Sequence, residues 1–123
     1  MDPLPYNHVM RILVADDEQM LLDVLVDMLK GRGHTVVSAD TGAKTIDYLE
    51  HLDFDLAILD WGLTGSQVMK QIREIKPELR IILISGYHDP LIILNRRTHW
   101  LAKPFKIFDL TTMLDSLPAA GPA

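Results

Sequence analysis

Residues 11–18 read Arg-Ile-Leu-Val-Ala-Asp-Asp-Glu (RILVADDE): four apolar side chains in a row, then three acids. A short apolar run that is continuous instead of alternating suits a strand buried on both faces. The pattern returns at 56–59 (LAIL, then Asp60), 81–84 (IILI, then Ser85-Gly86) and 100–102 (WLA, then Lys103-Pro104). A fifth and more polar run, 35–39 (TVVSA), suits an edge strand.

Helical spacing fills the gaps. Leu21, Leu25, Met28 and Leu29 share one face, closed by Gly31 and Gly33. Ala43, Ile46 and Leu49 predict a second helix. Val68, Ile72 and Ile75 predict a third, stopped near Pro77, and Ile107, Leu110, Leu114 and Leu117 predict the last, stopped by Pro118. Residues 89–95 fit a further short helix, with Asp89 as N-cap and Pro90 at the first helical position. Strand and helix thus alternate five times, which predicts an α/β fold: a parallel sheet with helices on both faces. Ligands of such sheets sit beyond the carboxyl ends of the strands.

The composition narrows the choice. The chain has 123 residues, one domain's worth, and 48% of them are hydrophobic, enough for a core. Twelve Lys+Arg against 17 Asp+Glu leave a net charge of −5, which argues against a nucleic-acid module. With no cysteine there are no disulfides, thiolate metal sites or cysteine nucleophiles. No run approaches the ~20 apolar residues of a membrane helix. Residues 1–10 are polar, contain two prolines and read as an N-terminal extension, not a signal peptide. The core spans 11–117, and 118–123 (PAAGPA) reads as a tail or the start of a linker. The expectation is an acidic, soluble, cytoplasmic single domain. The five histidines (His8, His34, His51, His88, His99) have no metal-ligand spacing.

The strand ends carry the chemistry. Asp16, Asp17 and Asp60 converge there if the sheet closes as predicted, and Ser85 and Lys103 end the next two strands. Taken singly each has a plain reading: Asp17 as a helix N-cap, Asp60 as a loop acid, Ser85 as a satisfied hydroxyl, Lys103 as a solvated lysine. Their joint placement is what those readings leave unexplained. Three carboxylates in one crevice call for a hard cation, Mg²⁺ or Mn²⁺. A carboxylate can attack phosphorus and become an aspartyl-phosphate, with a metal, a lysine and a hydroxyl neutralising the transferred group.

VADDE (14–18), LAILD (56–60), ILISG (82–86) and LAKPF (101–105), in that order and at strand ends, resemble the receiver domain of two-component response regulators. The resemblance implies a flavodoxin-like (βα)5 three-layer sandwich with strand order 2-1-3-4-5. It implies Asp60 as phosphoacceptor, and Asp16, Asp17, Asp60 and the Gly62 carbonyl as metal ligands. Ser85 and Trp100 match the switch positions, and Lys103 the phosphoryl-binding lysine with a cis bond to Pro104. The partners it implies are a sensor histidine kinase or a histidine phosphotransfer protein, and then a downstream protein or a second copy. It implies no nucleic acid, no membrane, and no enzyme activity beyond slow loss of the protein's own phosphate.

Two stretches depart from the family pattern. After Asp60 the sequence WGLTGSQV places Thr64 where a proline is usual and Gly65 early, so the loop to the third helix looks trimmed. Between Ser85 and Lys103 the chain is several residues short. Leu91 to Leu94 are four apolar residues without a helical stripe, either packed inward or an exposed sticky face. Tyr87 is either a shield for the phosphorylated site or a surface loop residue. A haloacid-dehalogenase-like phosphatase lacks its second acid here, because Gly62 stands in that place. A flavodoxin-like cofactor site is opposed by the acids after the first strand. The remaining alternative is a receiver-fold interaction module that no longer signals by phosphorylation.

Overall fold

The computed structural model describes residues 9–86, 92 and 94–117. Five strands, β1 (Arg11–Ala15), β2 (Thr35–Ala39), β3 (Leu56–Asp60), β4 (Arg80–Ser85) and β5 (Thr98–Ala102), form one parallel sheet in the order β2-β1-β3-β4-β5. Among the described residues there are four helices: α1 (Gln19–Gly31), α2 (Gly42–His51), α3 (Trp61–Ile75) and α4 (Ile107–Ser116). This is the flavodoxin-like α/β sandwich that the sequence motifs implied.

The continuous apolar runs of β1, β3 and β4 are explained by burial from both sides; the run 100–102 is not buried so, because β5 is a sheet edge where Trp100 is half-buried and Ala102 exposed. Every residue of the central strand β3 is buried, and in β4 only Arg80 is not. Ile12, Val14, Ile58, Ile82 and Ile84 face a core closed by α1 and α4. Leu13, Ala57, Leu59, Ile81 and Leu83 face the opposite core, against Leu49 of α2 and Ile72 of α3. β2 lies at one edge and is the least buried of the five, as its more polar sequence suggested.

Three local predictions change. Ala43 is exposed, and the buried residue of α2's first turns is Thr45. Its hydroxyl donates to the Thr41 carbonyl at 2.8 Å, so a polar side chain enters the core with its hydrogen bond satisfied. The short helix expected at 89–95 falls mostly outside the described residues. Of those described, Ile92, Leu94 and Asn95 are not helical, and Asn95 pairs with Thr98 in an isolated antiparallel bridge. Ile92 is buried and Leu94 exposed, so the two described residues of this apolar run part between core and surface. Tyr87, Leu91 and Ile93 lie outside the described residues. Finally, no loop separates β3 from α3: Trp61 already begins the helix.

Candidate functional site

Parallel pairing in register brings the strand ends level. Ala15 lies beside Leu59, Asp60 beside Ile84, and Ser85 beside Ala102. The ladder runs on past the strands: the Asp16 amide donates to the Ala39 carbonyl at 3.1 Å, and the Lys103 amide to the Ser85 carbonyl at 2.8 Å. The residues after β1 and β5 and the last residue of β3 therefore surround one crevice. One carboxylate oxygen each from Asp16, Asp17 and Asp60 lies within 4.8 Å of the others. Asp16 and Asp60 are buried and Asp17 is exposed, so the group opens to solvent on the Asp17 side.

Lys103 bridges the two buried acids. Its Nζ lies 3.0 Å from Asp60 Oδ1 and 3.4 Å from Asp16 Oδ2. Burial pulls the ammonium's pKa down, but the bond to Asp60 and the charges of both acids outweigh it and leave it above the ordinary lysine value. Lys103 is thus a fixed cation. Desolvation pushes the Asp16 carboxyl up, and repulsion from Asp60 adds to this. The bond from the Glu18 amide (2.8 Å to Oδ1) and Lys103 oppose the shift without cancelling it. One cation between crowded carboxylates leaves negative charge in excess. The donor set is all hard oxygen, which fits Mg²⁺ or Mn²⁺ and not a thiolate-seeking metal.

Asp60 has a second role that the sequence reading did not give it. It is the N-cap of α3, and its Oδ2 accepts from the Leu63 amide at 3.1 Å. The helix end thereby places a partial positive charge on the carboxylate. The Thr64 hydroxyl donates to the Asp60 carbonyl at 3.2 Å and is buried. A Cβ at Gly62 would lie 3.2 Å from Asp60 Oδ2, so any larger residue there crowds the acid. The available signal for this cap was Asp60 itself, an N-cap residue type at the end of an apolar strand; the donor is a backbone amide and leaves no mark in the sequence. Asp17, by contrast, does not cap α1: the N-cap is Glu18, without a side-chain bond.

Gly62 itself lies in the first turn of α3, where carbonyls point along the axis toward the C-terminus, away from the N-cap residue. A backbone ligand from Gly62 requires that turn to open. Gly65 interrupts the helix with φ 64° and ψ −177°, a conformation open essentially to glycine alone. Ser85 is buried at the end of β4, and Trp100 is half-buried on β5 opposite Leu83. The Lys103–Pro104 peptide bond is cis.

The comparisons agree with this geometry. The family model for the response regulator receiver domain matches residues 12–115. The response regulator receiver protein CpdR of Brucella abortus is 29% identical over 120 residues, covering 90% of this chain and 98% of its own. The two-component response regulator PhoP of Pseudomonas aeruginosa is 27% identical over 122 residues, and the match covers 88% of this chain but only 51% of PhoP. A receiver protein structure from Sinorhizobium medicae superposes with a TM-score of 0.74 at 32% identity, covering 89% of this chain and 94% of that one. With its sheet order, its acid crevice and a family match across nearly all of its core, this chain belongs to the response regulator receiver domains, the phosphoacceptor modules of two-component signalling.

Proposed function

We propose that Asp60 is the phosphoacceptor, taking a phosphoryl group from a phosphohistidine of a sensor kinase or histidine phosphotransfer protein. An Asp60 oxygen forms the new bond to phosphorus while the phosphorus–nitrogen bond breaks and the imidazole leaves with the electron pair. The observation that carries this reading is the 3.0 Å contact between Lys103 Nζ and Asp60 Oδ1, inside a crevice where three carboxylates meet. Lys103 orients the attacking carboxylate and remains charged beside the oxygens of the arriving group. The Leu63 amide holds the other oxygen and adds the field of the α3 N-terminus. A divalent ion held by Asp16, Asp17 and Asp60, Mg²⁺ or Mn²⁺, would supply the remaining charge neutralisation. The Gly62 carbonyl joins that set only if the first turn of α3 opens.

Ser85 lies one strand over from Asp60, where its hydroxyl can follow the phosphoryl oxygens. Trp100 on β5 is the side chain whose packing would report the change to a downstream partner or a second copy. Slow hydrolysis follows if water reaches the acyl-phosphate at the same site. No helix among the described residues is long and apolar enough to cross a membrane, and a cytoplasmic location fits a kinase-fed module.

Incubation with acetyl phosphate and Mg²⁺, followed by intact-mass measurement, tests the reading. The expected result is one added phosphoryl group, lost with chelator and absent in Asp60→Asn. An unlabelled protein with an intact circular dichroism spectrum would instead establish the interaction module that no longer uses phosphate. A Trp61→Phe variant, leaving Trp100 as the remaining tryptophan, should change its emission on adding Mg²⁺ and beryllofluoride.

A further inference from the structure

Both carboxylate oxygens of Asp60 are already engaged by the chain itself. Lys103 Nζ donates to Oδ1 at 3.0 Å, and the Leu63 amide donates to Oδ2 at 3.1 Å. The main-chain carbonyl of the same residue accepts from the Thr64 hydroxyl at 3.2 Å. Asp60 is thus tied at all three of its oxygens, and two of those ties come from residues 61–64.

Residues 61–64 are one turn and not the start of a continuous helix. Gly65, at φ 64° and ψ −177°, breaks the helical geometry between them and residues 66–75. A single helical turn does not hold itself together in water, because its nucleation is unfavourable. This one is held by Asp60 and by the burial of Trp61 and Thr64. Gly62 is exposed, and nothing lies within 4 Å of a Cβ added at Gly65, so the hinge of the turn is not packed in. The turn therefore depends on the one residue whose surroundings must change when the crevice is loaded.

We propose that the turn 61–64 is an autoinhibitory latch on the acid crevice. It closes on unloaded Asp60 through the Leu63 amide and the Thr64 hydroxyl, and it swings about Gly65 when Asp60 takes up a divalent cation or a phosphoryl group. The reason is a conflict over Oδ2. A cation drawn to that oxygen meets the positive end of the α3 dipole, and an oxygen bonded to phosphorus loses the charge that makes it a strong cap. Opening the turn removes both conflicts and lifts the helical constraint on the Gly62 carbonyl. Loading is therefore opposed by the closed turn, and a change that weakens the turn strengthens loading. The phosphoryl half of the latch rests on Asp60 being the phosphoacceptor; the cation half does not.

Hydrogen exchange at the Leu63 amide of the full ¹⁵N-labelled chain, read by NMR, tests the latch. In the wild type without metal this amide should be protected, and excess Mg²⁺ should speed its exchange about tenfold. Asp60→Ala should reach the faster rate without metal. Asp60→Asn, which keeps a capping oxygen, should stay within about twofold of wild type and not respond to Mg²⁺. Thr64→Val leaves every acid in place and should tighten Mg²⁺ binding about threefold, where mere damage to the fold would weaken it. A Leu63 amide that stays protected in excess Mg²⁺, or Mg²⁺ binding that Thr64→Val leaves unchanged or weakens, would overturn the proposal. The wild-type comparison needs no variant, so the test stands even if Thr64→Val fails to fold. Labelling by acetyl phosphate separates the latch from the phosphoacceptor reading. An unlabelled protein whose Leu63 amide Mg²⁺ releases sinks that reading and upholds the latch as a cation device. A labelled protein whose Leu63 amide stays protected sinks the latch alone.

Discussion

The two faces of the sheet are built to different standards. On one, α1 and α4 lie across the strands and bury Leu22, Leu25, Leu29, Leu110 and Leu114 to almost nothing. On the other, α2 and α3 bury Leu13, Leu59, Ile81 and Leu83 as fully, but a cavity of about 480 Å³ remains beside α3, bordered by Met69, Leu83 and Thr98. The acid crevice sits where the faces meet, at the carboxyl ends of the central strands. It is intact although both shortened stretches adjoin it. The comparison teaches that the crevice depends on strand register and the ends of β1, β3 and β5, and not on close packing everywhere along α3.

The sharpest way to break that comparison is to delete side chains on each face. Leu25 is fully buried between α1 and the sheet, so Leu25→Ala should cost about 3 kcal/mol, measured by urea denaturation. Met69 is half-buried and already borders empty space, so Met69→Ala should cost about 1 kcal/mol or less. Equal costs would show that α3 is packed as tightly as α1. A mid-sized effect is expected at the junction between the faces. Gly65 has φ 64° with ψ −177°, and nothing lies within 4 Å of an added Cβ, so Gly65→Ala adds backbone strain without a clash. That strain should cost about 1–3 kcal/mol. Gly31, at the end of α1 with open space and ordinary φ, gives the control: Gly31→Ala should stabilise slightly. If Gly65→Ala proved equally harmless, the kink in α3 would be no constraint on how Asp60 is capped.

Most of the fold was legible in the chain because buried parallel strands write themselves as uninterrupted apolar runs. Residues 56–59 could only be central, and the polar 35–39 only an edge. The acids of the crevice were legible because they follow those runs directly. What stayed hidden involves backbone groups and exact spacing. The Leu63 amide on Asp60 has no side-chain signature, and a trimmed loop does not announce that the helix begins at the very next residue. Thr45 was missed because its burial depends on a bond to a carbonyl four residues earlier, whereas Ala43 merely looks apolar. The 89–95 stretch carried a good N-cap signal in Asp89-Pro90, yet at Asn95 the pairing with Thr98 prevails over helical continuation.

The smallest expected effect separates the faces by pH. His34 is buried beside α1, and its Nδ1 accepts from the Met10 amide at 3.0 Å. Burial, with the Arg32 charge, lowers its pKa below 6.5. The unfolded chain therefore binds this proton more readily than the folded one. His34 contributes full stability above the unfolded value, and stability is lost as the pH falls through it toward the folded value. His99 on β5 is lowered in the same direction, by burial and by Arg80, so part of the acid loss belongs to the other end of the sheet. Asn at position 34 keeps an acceptor for Met10 and removes the titration. Between about pH 7.5 and pH 5.5, wild type should lose more stability than His34→Asn, by up to about 1 kcal/mol. The difference that remains in the variant then contains the loss at His99 and, with opposite sign, the gain at His51, whose pKa the Asp47 carbonyl and charge raise. Identical pH profiles would mean that the Met10–His34 contact opens freely and that the tighter face is not tight at its lower edge.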